Sequence, residues 1–221
     1  MYRLDRTAFK QQTAAEADDH RDYWLTKTPK ERLRALLYLN AQVYGFVQSG
    51  PPIMDKSAFK ARRRMKSNYL YQDFLEFIQA LNQNKVEYLL AGGYAVVLHG
   101  YQRSTGDLDI WVNPTPENYN CLLGAFDDFR MPIFDMTEDH FLRPGEMDVF
   151  TFGVPPIAID IMTQVKGLDF RKAFAQADDF DLGDNLSVKM LCLEDLLAAK
   201  KAAGRAKDFN DIRHLTSNPD I

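Results

Sequence analysis

The chain has 221 residues, of which 46% are hydrophobic and 12% aromatic, enough for one fair-sized domain or for a domain with a small helical extension. A formal charge of −4 and a pI near 5.6 remove any electrostatic reason for passive nucleic-acid binding, though not a small local basic site. No apolar run approaches the roughly 18 residues of a membrane span, and the start Met1-Tyr2-Arg3-Leu4-Asp5 is too polar for a signal peptide, so a cytoplasmic chain with no membrane partner is expected.

Residues 1–66 read as an N-terminal helical extension, distinct from a domain over 67–221. Phe9 to Trp24 is polar, with Glu16, Asp18, Asp19, Arg21 and Asp22. Thr28-Pro29-Lys30-Glu31 opens a helix: Thr28 caps, Pro29 suits the first position and Glu31 completes a capping box. Leu33, Leu36, Leu37, Ala41 and Tyr44 form one apolar stripe, which must dock on the following domain or on a partner chain. Ser49-Gly50-Pro51-Pro52 ends that helix. The basic run Lys60-Ala61-Arg62-Arg63-Arg64-Met65-Lys66 reads first as a solvated linker or helix face, and a nucleic-acid contact there is opposed by the overall acidity.

From Tyr69 the pattern is that of an α/β chain. Leu70, Phe74, Phe77, Ile78 and Leu81 make an amphipathic helix, and Val86 to Ala91 fits a short buried strand. Gly92-Gly93 turns the chain into a short helix, Tyr94 to His99, and Leu108 to Val112 is a second strand. Pro114-Thr115-Pro116-Glu117 opens a helix carrying Tyr119, Leu122, Leu123 and Phe126. Two strands follow, Asp148 to Phe152 and Ile157 to Met162, split by Gly153-Val154-Pro155-Pro156. Leu186 to Cys192 is a last strand or edge. A helix runs from Leu193 through Lys201, Gly204 breaks it, and Ala206 to Leu215 is the final helix. Short strands in mixed order predict an α+β fold with a mixed β-sheet flanked by helices. Cys121 and Cys192 have no metal or redox spacing and read as reduced and buried. His20, His99, His140 and His214 show no metal spacing either.

The chemistry is concentrated between Gly92 and Asp160. Strand side chains alternate faces, so Asp107 and Asp109 share one side while Leu108 and Ile110 face the core. Two adjacent carboxylates repel unless a cation lies between them, and magnesium favours such oxygen donors together with phosphate oxygens. At Gly92-Gly93 the backbone comes close enough to meet phosphates. Asp160, flanked by Ile159 and Ile161, is costly to bury without a cation or hydrogen-bond partners. Arg103 and Thr105 precede the acidic pair and offer donors for phosphate oxygens. An acid-x-acid motif also occurs in phosphatases of the haloacid dehalogenase type, but those need an apolar strand directly before it, and Gln102-Arg103-Ser104-Thr105-Gly106 is not one. The glycine and downstream oxygen ligands of an EF-hand loop are missing.

Taken together, Gly92-Gly93, the helix ending at His99-Gly100, the segment Arg103-Ser104-Thr105-Gly106-Asp107-Leu108-Asp109-Ile110 and the later Asp160 resemble the polymerase-β-like nucleotidyltransferase superfamily. The nearest likeness is to minimal nucleotidyltransferases and to AbiEii-type toxins of toxin–antitoxin and phage-defence systems. Leu193-Glu194-Asp195-Leu196-Leu197-Ala198-Ala199-Lys200 and Gly204-Arg205-Ala206-Lys207-Asp208-Phe209-Asn210-Asp211-Ile212 echo their C-terminal signature. The likeness covers roughly residues 69–216. It departs from the usual pattern in having glycine where a serine is common at the second turn position, which removes a hydroxyl contact to phosphate.

The resemblance implies a two-metal centre of Mg2+ or Mn2+ on Asp107, Asp109 and Asp160, with a nucleoside triphosphate such as ATP as substrate. Gly92, Gly93, Arg103, Thr105, Lys200 and Asp208 would lie at the nucleotide, with Lys200 neutralising triphosphate charge. A hydroxyl of RNA, of a protein or of a small molecule would attack the α-phosphorus. The N-terminal extension lies outside the likeness; its polar start and single stripe suit either an element that docks a partner, an antitoxin or a second copy of the chain, or a self-inhibiting one. The alternative is a non-catalytic nucleotide- or partner-binding module on the same fold.

Overall fold

A computed structural model describes residues 21–45, 70–143, 148–154, 157–183 and 185–216. The run Lys60 to Lys66, the break at Ser49-Gly50-Pro51-Pro52, Pro155-Pro156 and the segment before Arg21 lie outside them.

The N-terminal part holds α1 (Arg21–Leu25) and α2 (Pro29–Val43). The capping box forms as expected: the Thr28 amide donates to Glu31 Oε2 at 2.8 Å, and the Glu31 amide donates to Thr28 Oγ1 at 3.3 Å. The buried stripe is not wholly apolar. Leu33, Ala35 and Leu36 are joined in it by Arg32 and Asn40, whereas Tyr44 caps the helix and is exposed. Arg32 explains its own burial, because its guanidinium donates to the carbonyls of Trp24, Lys27, Leu25 and Leu98, tying α1 and α2 to the helix that ends at Leu98. Leu33 and Leu36 belong to the same core as the rest of the chain, so the stripe docks on the sheet-bearing part.

The remaining helices are α3 (Leu70–Gln83), α4 (Gly92–Leu98), α5 (Pro116–Asp128), α6 (Glu138–Phe141), α7 (Phe170–Ala175), α8 (Leu193–Ala203) and α9 (Ala206–Thr216). The strands are β1 (Tyr88–Leu90), β2 (Asp107–Val112), β3 (Val149–Val154), β4 (Ile157–Met162), β5 (Asp178–Gly183) and β6 (Leu186–Met190). They form one mixed sheet in the order β3-β4-β2-β1-β6-β5. β2 runs antiparallel to β1 and parallel to β4, and β1 runs parallel to β6. The class is therefore the expected one, a mixed sheet flanked by helices.

Four short elements among the described residues go beyond the sequence reading: α1, α6, α7 and β5. β5 carries Asp178, Asp179 and Asp181 and, among the described residues, pairs only with β6, so it is an acid-rich edge. Charge on an edge blunts pairing with other chains, and it also erases the apolar alternation that marks a strand. α4 begins at Gly92, which makes the glycine pair the first turn of the helix. The core beneath the sheet is aromatic: Phe126 meets Phe77 with ring centroids 5.6 Å apart and Phe152 at 4.8 Å. Cys121 and Cys192 are free and only partly buried. Among the described residues no helix is long and apolar enough to cross a membrane.

Candidate functional site

β2 places Asp107 and Asp109 on one face, with Leu108 and Ile110 buried on the other. In the parallel ladder to β4, Asp109 stands opposite Asp160, which brings the third carboxylate to the same face. β3 supplies a support that the sequence alone did not indicate. Thr151 pairs with Asp160, and its Oγ1 donates to Asp160 Oδ1 at 2.6 Å. One oxygen of Asp160 is thereby oriented.

The glycine pair is required by these carboxylates. Gly92 has φ +58°, and a Cβ there would stand 1.8 Å from Asp109 Oδ2. A Cβ on Gly93 would stand 2.1 Å from Thr105 Oγ1. The Gly93 amide donates to Asp109 Oδ2 at 3.4 Å. The first turn of α4 thus lies directly over Asp109 and Thr105, and any side chain there displaces them.

Burial and then the charge of Asp160 push the Asp109 carboxyl up to about 6, against the Gly93 amide and Lys207, which pull it down. Burial and Asp160 raise Asp107 as well, and Lys207 again opposes the rise. The face is thus short of positive charge. Tyr44, at the end of α2, is raised by burial and then by Asp107, so the N-terminal part borders the site. Asn40 fixes the loop before β2 from the same helix. Its Nδ2 donates to the Thr105 carbonyl at 2.8 Å, and its Oδ1 accepts from the Thr105 amide at 3.2 Å.

Lys200, Asp208 and Arg103 are gathered in a network of their own. Lys200 is 5% exposed; its Nζ lies 2.6 Å from Asp211 Oδ2 and 3.4 Å from Asp208 Oδ1. Arg103 pairs with Asp211 at 2.7 Å, and Arg205 with Asp208 at 2.7 Å. Burial would raise Asp208, but the Arg205 bonds and charge, with Lys200, outweigh it and hold the carboxyl below its usual range. Three cations thus face two carboxylates, and the network joins α8, α9 and the loop before β2.

Among the described residues, Lys207, outside that network, and Arg205, within it, are cations whose charge reaches the aspartates. Lys207 is exposed at the start of α9 and lowers both Asp107 and Asp109. After its bonds to Asp208, Arg205 is held protonated partly by Asp109. In the sequence Lys207 is one residue of the C-terminal segment Gly204 to Ile212, and nothing local told which of Lys200, Arg205 and Lys207 would face the acids.

Among the described residues no group of three or more His, Cys, Asp or Glu side chains is gathered to hold a metal ion. The donor chemistry still suits a hard divalent cation: carboxylate oxygens share one face, and Asp109 and Asp107 are both raised by burial and then by the charge of Asp160. A cavity of about 330 Å3 lies elsewhere, lined by Glu76, Gln79, Gln83, Asp128 and Arg130, and none of the candidate residues borders it. No family model matches the chain, and no curated protein matches it.

Proposed function

We propose that the protein is a metal-dependent nucleotidyltransferase of nucleotidyltransferase-like fold, moving a nucleoside monophosphate from a nucleoside triphosphate to a hydroxyl acceptor. The single observation that carries this reading is the three-aspartate face, with Asp109 opposite Asp160 and Asp107 beside them. Asp107, Asp109 and Asp160 would hold Mg2+ or Mn2+, which when bound neutralises triphosphate charge and makes an acceptor hydroxyl more acidic. Thr151 aims the Asp160 carboxylate, so that it takes the proton from the acceptor. The hydroxyl oxygen bonds to the α-phosphorus, the bond to the β-phosphate oxygen breaks, and pyrophosphate leaves with that electron pair. Lys207 stands where it offsets charge at the same face.

A second reading, a nucleotide-binding module without transfer, is favoured by one observation: Lys200 and Asp208 are already committed to ion pairs inside the fold. Incubation with Mg2+, each nucleoside triphosphate labelled at the α-phosphate, and RNA or protein acceptors decides between the two. Label carried onto an acceptor supports transfer. Triphosphate binding without transfer supports the module, and absence of both from a folded protein overturns both readings.

A further inference from the structure

The segment from Tyr101 to Gly106 joins α4 to β2 and carries a side chain whose hydrogen bonds the fold leaves unmade. Among the described residues, four buried side-chain atoms have no hydrogen-bond partner. Two of them, Arg103 Nε and Asp211 Oδ1, stand 2.7 Å apart and form an ion pair. The other two are Nε2 and Oε1 of Gln102, so both polar atoms of one carboxamide are buried without a partner. Such groups are rare, because burial removes their bonds to water and nothing replaces them.

The neighbours of Gln102 are fixed from two sides. Tyr101 stacks on His214 of α9 with ring centroids 4.1 Å apart, and its hydroxyl accepts from Asn210 at 2.9 Å. Arg103 is paired with Asp211 of the same helix. Thr105 is held at its amide and its carbonyl by Asn40 of α2. The loop cannot shift to give the amide a partner without breaking those bonds. Gln102 as a whole is only partly buried, so its amide lies just beneath the surface rather than sealed in the core. A carboxamide kept unpaired in an anchored loop suits a ligand that supplies its partners.

The position and the chemistry narrow the ligand. Gln102 precedes Thr105 by three residues, at most about 10 Å of extended chain. Thr105 lies against Gly93, in the first turn of α4 where the triphosphate is expected to rest. The amide is therefore within reach of the nucleoside end of that ligand. A carboxamide offers an N–H donor beside a carbonyl acceptor in one plane. Phosphate oxygens only accept, and a metal ion takes only the carbonyl, so either would leave half of the amide unpaired. A nucleobase edge carries a donor beside an acceptor in one plane and pairs with both.

We propose that Gln102 reads the edge of the nucleobase and is a specificity-determining residue for the nucleoside triphosphate. This rests on the nucleotide reading of the aspartate face and adds how the base is chosen. The test is calorimetric titration of the full chain in Mg2+ with each of the four nucleoside triphosphates and with inorganic tripolyphosphate, which has the phosphates and no base. One triphosphate is expected to bind more tightly than the others and about tenfold more tightly than tripolyphosphate, the gain of one bidentate amide–base pair. Gln102→Met keeps the length of the side chain and removes the amide. It should bind all four triphosphates about alike, with its affinity for tripolyphosphate unchanged. Because it relieves the unpaired amide, it should also melt about 2–4 °C above the parent chain in the absence of ligand.

A residue that only supports the loop gives the opposite pattern: Gln102→Met melts lower and loses affinity for tripolyphosphate as well, which overturns the proposal. A parent chain that binds the four triphosphates alike overturns it too, as does a preference that survives in Gln102→Met. In those two cases the binding itself leaves the nucleotide reading of the aspartates standing. If the folded parent chain binds neither tripolyphosphate nor any triphosphate in Mg2+, that reading fails and the proposal fails with it.

Discussion

Asp109 and Asp160 face each other across adjacent parallel strands, one residue directly opposite the other. Among the described residues no cation contacts either carboxylate, and burial with repulsion from Asp160 raises Asp109 to about 6. A pair of this kind weakens the fold unless a ligand rewards it.

The first prediction is a pH-dependent stability effect. The folded pKa of Asp109, about 6, lies above its ordinary value of 3.8, so the ionised form is the one that folding disfavours. The penalty is absent below pH 3.8, grows between there and pH 6, and is complete above pH 6. Asp109→Asn should therefore stabilise the metal-free protein by about 2 kcal/mol at neutral pH, and the gain should vanish as the pH falls towards 4. Urea denaturation of both proteins at a series of pH values measures it. A gain that grows on acidification contradicts the assignment.

At the glycine pair, Gly93→Ala should destabilise the chain by about 1–3 kcal/mol, because its Cβ would collide with Thr105 Oγ1 at 2.1 Å. The second substitution Thr105→Gly removes the colliding side chain and should return part of that loss in a double-mutant cycle. Gly92→Ala should be worse and unrescued, since it adds a left-handed backbone strain to a clash with Asp109 itself. Thermal denaturation of the single and double variants gives the comparison.

Lys200→Met should lower stability by about 3–5 kcal/mol, because it leaves Asp208 and Asp211 short of a buried partner. Lys207→Ala should change stability by no more than about 0.5 kcal/mol yet weaken triphosphate binding, since Lys207 is exposed and bears on the aspartates. Equal effects of the two substitutions on stability would contradict the division of labour between them.

Asn40→Ala removes both bonds that hold the Thr105 backbone and should cost about 1–3 kcal/mol. It should also lower kcat for transfer more than it raises KM, because the loop it anchors leads straight into Asp107. A pure loss of stability with kcat unchanged, measured well below the melting temperature, would separate the N-terminal part from the site.

Much of the arrangement was legible in the sequence. Alternation across Asp107-Leu108-Asp109-Ile110, and the lone acid in Ile159-Asp160-Ile161, announced strands with acids on a single side. Thr28, Pro29 and Glu31 announced the start of α2, and Gly204, with φ +66°, announced the break between α8 and α9. What stayed hidden depends on contacts between residues distant in the chain. Nothing near Asn40 points to Thr105, and nothing near Thr151 points to Asp160. Lys200 reads as a helical cation in any sequence; only the turn at Gly204 folds α9 back so that Asp208 and Asp211 take its charge. The acids of β5 hid a strand because an edge needs charge more than alternation.

The central claim is that the three aspartates bind a divalent cation together with a nucleoside triphosphate. The most direct measurement is a calorimetric titration of the triphosphate into the protein with Mg2+ present, and again with Mg2+ removed by a chelator. The account predicts saturable binding that is lost without Mg2+ and lost in Asp109→Asn, a variant that folds at least as stably as the parent chain. Binding that survives chelation and the Asp109→Asn change, or no binding by the folded protein in Mg2+, would contradict it.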